Sequence, residues 1–84
     1  MEIRFIMKIY IVIIEDRHCD VEVKPFADYS SAEAYARETC LRYHPTWKLH
    51  QLDMVMVKAG WVFYATYFED DCSVRIVERE MTLL

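Results

Sequence analysis

The sequence predicts an α+β fold: an antiparallel sheet of about five strands in the order ββαβββ, with one helix packed on one face. Three observations predict it. Residues 9–14 form a β-branched and aromatic run, residues 30–43 repeat apolar positions at helical spacing, and residues 61–68 return to strand-forming side chains. Short connections make consecutive strands antiparallel, and a single helix can cover only one sheet face.

The first strand, 9–14, reads Ile-Tyr-Ile-Val-Ile-Ile without polar alternation, so it is expected to be covered on both faces and central in its sheet. Glu15 to Asp20 is a polar hairpin connection. Val21, Glu22, Val23 and Lys24 alternate, giving a second strand with one wet face that ends at Pro25.

Ser30-Ser31-Ala32-Glu33 has the form of a capping box, so a helix is expected from Ser30, with Ala32, Tyr35, Ala36, Thr39, Cys40 and Tyr43 on its buried face. Pro45 disfavours helical geometry at His44, which ends the helix by that residue. Residues 47–57 are apolar with a broken period and predict a bulged strand or two short ones. Gly60, the only glycine, is expected at positive φ in a hairpin before strand 61–68. A polar turn at 69–72 precedes a last strand containing Val74, Ile76 and Val77.

At 84 residues the chain, 1–84, fits one domain, and Met7-Lys8 marks 1–6 as a candidate N-terminal extension. The balance of 10 Lys and Arg against 14 Asp and Glu gives a net charge of −4 and a pI near 5.2. Domains that grip phosphate backbones usually carry a basic stripe, so direct nucleic-acid binding is not expected. The longest uncharged run near the start, 9–14, is far shorter than the ~20 residues of a membrane span. Three cysteines without a C-x-x-C pair suggest neither a disulfide framework nor a zinc ribbon, and a reducing cytoplasm is expected, with no metal or cofactor.

In strand 61–68, strict alternation would put Trp61, Phe63, Ala65 and Tyr67 on one side and Val62, Tyr64, Thr66 and Phe68 on the other. Neither side is polar. An apolar face with no second helix implies either strong curling of the sheet or a protein partner, and the expectation is a homodimer. Tyr10, Trp61, Phe63, Tyr64 and Tyr67 are the candidate interface residues, because large aromatics bury much area at small entropic cost. Asp16, Asp20, Glu69, Asp70 and Asp71 lie in two strand-joining turns and are a candidate acidic surface for steering a basic partner.

His18 beside Cys19 is the one place where a nucleophile and a base adjoin. Neighbouring side chains at a turn diverge, and Glu15, Asp16 and Asp20 oppose thiolate formation, so a solvated turn is expected and no catalytic residue is assigned. His44 reads as a helix-end residue and His50 as a strand residue facing water. The function expected is that of a non-enzymatic, small acidic interaction protein, such as a phage or mobile-element inhibitor that occupies a host protein surface. The alternative is a small-molecule sensor with a helix–sheet pocket near Tyr35, Cys40 and Trp61; a small enzyme using His18 and Cys19 is the third reading.

The segments Lys8-Ile9-Tyr10-Ile11-Val12, Glu15-Asp16-Arg17-His18 with Asp20, and Gly60-Trp61-Val62-Phe63-Tyr64-Ala65 with Asp71, Val74 and Glu78 resemble small uncharacterised proteins of bacteria, archaea and their viruses. The resemblance covers most of the chain, least in 41–58. It implies a prokaryotic or phage setting and no catalytic residue.

Overall fold

The computed structural model of the chain describes residues 5–68 and 71–83. They form a five-stranded antiparallel open sheet with two helices: β1 (Phe5–Glu15), β2 (Glu22–Phe26), α1 (Tyr29–Tyr43), β3 (Lys48–Leu49), α2 (Met54–Lys58), β4 (Trp61–Tyr67) and β5 (Cys72–Leu83). The spatial order is β2-β1-β5-β4-β3. The α+β class is as the residue pattern predicts, but β1 is an interior strand beside the middle strand β5, and of its two faces Val12 and Ile14 are buried under α1 while Ile11 and Ile13 are only half-buried. Of the expected extension 1–6, Phe5 and Ile6 belong to β1, paired with Leu83 and Thr82, and 1–4 lie outside the described residues.

Helix α1 starts one residue before Ser30, and its cap is Asp28 rather than Ser30. The Asp28 carboxylate accepts from Ser31 N–H at 2.8 Å and from the Ser31 hydroxyl at 3.0 Å. Aspartate satisfies an orphan amide at least as well as serine. Glu33, freed from the expected box, accepts from the Tyr29 hydroxyl at 2.8 Å. The helix ends at Tyr43, before His44 and Pro45, as expected.

Residues 47–57 correct the strand expected there. Only Lys48–Leu49 pairs with β4, and Met54–Lys58 is the short helix α2, whose cap Asp53 accepts from Met56 N–H at 2.8 Å. A run of apolar residues too short to show its period leaves helix and strand indistinguishable, and the Asp cap decides it. Gly60 does have positive φ, +90°, but it closes α2 and leads into β4 instead of turning a hairpin. Strand β2 runs through Pro25, which an edge strand tolerates because its outer amides have no strand to meet.

The core lies between α1 and one face of the sheet. Ala32, Ala36 and Cys40 are fully buried against Val12, Ala65, Val74 and Ile76, and these small helix side chains let the backbone of α1 approach the sheet closely. At the far end β1 and β5 run on alone: residues 5–9 pair with 79–83, while β2 reaches only to Tyr10 and β4 only to Val77. The molecule is consequently elongated, 53 × 25 × 22 Å, with a radius of gyration of 14.3 Å where a compact chain of this length would have about 12 Å.

Candidate functional site

The face opposite α1 is built by the odd residues of β1. Strand register lines up Met7 with Met81, Ile11 with Pro25, Val77 and Trp61, and Ile13 with Val23, Arg75 and Tyr64. Ile11, Ile13, Trp61 and Tyr64 are half-buried there, and Val23 is 59% exposed. No described helix of more than one or two turns covers this surface.

A bulge in β4 gives the face its aromatic centre. The register slips between Trp61 and Phe63, so Trp61 opposes Val77 while Phe63 opposes Ile76, a residue of the helix-covered face. Trp61 therefore shares a side with Tyr64, their rings 5.2 Å apart, and the strict alternation expected of this strand is broken. The Arg75 guanidinium lies 5.2 Å over the Trp61 ring and donates to Glu15 at 2.6 Å. His50 lies against Tyr64 at 4.9 Å with Nε2 2.5 Å from the Thr66 hydroxyl, so it is engaged on the sheet rather than facing water.

This arrangement sorts the aromatic candidates. Trp61 and Tyr64 are on the uncovered face. Phe63 and Tyr67 are 3% and 2% exposed, spent in the protein's own core, and Tyr10 is half-buried on the α1 side, edge-on to Tyr29 at 5.8 Å. Tyr35, Cys40 and Trp61 do not converge on a helix–sheet pocket. Cys40 is sealed in the core and Trp61 is on the far face.

At the other end of the molecule the β1–β2 and β4–β5 turns meet. Arg17 donates to Asp71 at 2.6 Å, joining them. Asp16 is not a surface residue: it is 8% exposed and accepts from His18 N–H at 2.8 Å and from the Tyr67 hydroxyl at 2.8 Å. Burial pushes the Asp16 carboxyl up, but these donors and the Cys72 thiol outweigh it and hold the group below the usual carboxylate range. Burial and the same bond push the Tyr67 hydroxyl up. Among the described members of the expected acidic surface, Asp20 is exposed and Asp71 is ion-paired with Arg17, while Glu69 and Asp70 lie outside the described residues.

Cys19 N–H donates to Asp16 O at 3.0 Å, closing a tight turn, and the His18 ring turns away to Phe68, 6.1 Å off. This is the structural turn expected of the pair. Beside it opens a cavity of about 670 Å³ that sequence reasoning missed. Its walls come from the β1–β2 turn (Arg17, His18), the α1–β3 link (His44, Thr46, Trp47), the start of β3 (Lys48), and Phe68 with Asp71 after β4. Phe68, at φ +53°, is the one described non-glycine residue in left-handed backbone, a conformation that costs roughly 1–2 kcal/mol and places its ring between the imidazoles of His18 and His44. The signal in the sequence was the recurrence of cationic and aromatic residues in two links, Arg17-His18 and His44 to Lys48, that antiparallel topology brings together.

Among the described residues no three His, Cys, Asp or Glu side chains stand together as a metal site, and no helix is long and apolar enough to cross a membrane. No family model matches the chain, and no curated protein or solved structure matches it.

Proposed function

We propose that the chain is a non-enzymatic interaction protein whose working surface is the sheet face opposite α1, and that this surface first binds a second copy of the chain. The carrying observation is the Trp61, Tyr64 and Arg75 cluster set among Ile11, Ile13 and Val23 on that face. Tryptophan, tyrosine and arginine ringed by aliphatic side chains are what interface centres are made of. Area supports the reading. The chain exposes 6028 Å², where a compact 10.1 kDa protein would expose about 5,300 Å².

Beyond Tyr10 and Glu78 no described strand pairs with the outer edges of the β1–β5 ribbon, which leaves edge backbone groups beside that face. A host protein bound to this face, as in an inhibitor, is the heterotypic form of the reading. Light scattering at high micromolar concentration tests the self-associated form: a mass of twice 10.1 kDa is expected. Val23→Glu and Met81→Glu, both on exposed positions of the face, return the mass to that of one chain. A wild-type chain that stays single at every concentration removes the second copy as occupant.

A further inference from the structure

The cavity between the two turns lies away from the aromatic face and calls for a different ligand. Its volume, about 670 Å³, is within the roughly 300–1,000 Å³ range of small-molecule pockets. The chain as a whole is acidic, yet among the described residues the cavity sets Arg17, Lys48 and two imidazoles against one carboxylate, that of Asp71. Of the five guanidinium N–H groups of Arg17, the ion pair with Asp71 uses one, through Nη1, so the carboxylate orients the fork without consuming it.

His44 is preset as a donor. Its Nδ1 accepts from Thr46 N–H at 3.1 Å, which requires a lone pair there and leaves Nε2 to carry the ring proton. The apolar walls are the Trp47 indole and the Phe68 ring, the latter 39% exposed and held at the opening by its left-handed backbone. A charged fork, a point cation and a polarised N–H, interleaved with two aromatic rings in one cavity, match a ligand that is both anionic and planar.

We infer that this cavity binds a small molecule made of a heteroaromatic ring bearing a phosphate, of mononucleotide size. Arg17 and Lys48 hold the phosphate, the His44 Nε2–H donates to it, and Phe68 with Trp47 stacks on the ring. Free nucleotide is favoured over a nucleic-acid strand, because the net charge of −4 repels a polyphosphate backbone outside the cavity.

Titration of the full-length chain, followed by amide chemical shifts, tests the inference with four probes: a nucleoside monophosphate, its unphosphorylated nucleoside, inorganic phosphate and a short 5′-phosphorylated oligonucleotide. The monophosphate is expected to bind at least about tenfold more tightly than either of its halves, with shifts at His18, Thr46, Lys48 and Phe68. Lys48→Ala is expected to remove the advantage of the phosphate and Phe68→Gly that of the ring. Glycine accepts the left-handed backbone, and Lys48 is an exposed side chain, so both variants keep the fold. Equal binding of nucleoside and monophosphate, tighter binding of the oligonucleotide, no binding at millimolar ligand, or shifts confined to the Trp61 face would each overturn it.

Discussion

The Tyr67 hydroxyl donates to the Asp16 carboxylate at 2.8 Å, across 51 residues, and both groups are buried. That bond ties the end of β4 to the end of β1 through the intervening β5. Asp16→Ala leaves the Tyr67 hydroxyl and the His18 amide without their acceptor and is expected to cost about 2–3 kcal/mol, and Tyr67→Phe about 1–2 kcal/mol, with the double variant less than the sum. Urea denaturation measures all three.

Because folding holds the Asp16 carboxyl below its ordinary value of 3.8, its contribution is fully present above that pH and is lost as pH falls through the lower folded value. The urea midpoint of the wild type is therefore expected to fall with acid below about pH 4, more steeply than that of Asp16→Asn. Equal slopes would show that the carboxylate is not stabilised by its donors.

Asp28 and Ser30 separate the observed helix cap from the one the sequence suggests. Asp28→Ala is expected to lower stability by about 1 kcal/mol, which is roughly 4–8 °C in Tm for a domain of this size, whereas Ser30→Ala should leave Tm nearly unchanged. Thermal melts followed by circular dichroism give the comparison.

At Gly60 an added Cβ would collide with the Arg79 guanidinium and come within 2.9 Å of Glu78 O, in a backbone region that L side chains avoid. Gly60→Ala is expected to destabilise by about 1–3 kcal/mol. Arg79 donates to Ala59 O at 2.9 Å, so Arg79→Ala in the same background should recover part of the loss.

The three thiols should separate by accessibility. Cys19 is exposed, whereas Cys40 and Cys72 are buried, and burial pushes the Cys40 thiol up to about 11. Iodoacetamide is expected to label one thiol of the native chain and three in denaturant, counted by mass spectrometry. His18→Ala should not change the native rate, since the His18 ring packs on Phe68.

If the chain associates through the aromatic face, concentrating it should shift tryptophan emission to the blue, as Trp61 leaves water. Trp61→Phe should abolish the shift, and Trp47→Phe should leave it, because Trp47 lies on the other side under Arg37.

Much of the fold was legible because its signals are local and redundant. Ile9 to Ile14 announce an interior strand by composition alone, though not that β5 takes the middle place, and Pro45 ends α1 wherever the helix begins. The cap was misplaced because Asp28 and Ser30 are both competent acceptors, and only the path of the chain out of β2 chooses between them. Met54 to Val57 was misread since four apolar residues carry no period. The bulge at Val62 has no residue signature, so the sidedness of Trp61 could not be read, and with it went the division of aromatics between core and surface. The cavity escaped notice because its walls come from three segments far apart in sequence, Arg17-His18, His44 to Lys48, and Phe68 with Asp71, joined only by tertiary pairing.

The position of β5 bears on how the protein comes to be made. It is the last strand of the sheet to be synthesised, yet it lies between β1 and β4. Until β5 is in place, β1 with β2 on one side and β4 with β3 on the other share no strand pairing, and each pair keeps a raw edge of unmatched amides. A chain truncated before Cys72 is therefore expected to lose both halves of the sheet together and to aggregate, rather than to keep a smaller folded sheet.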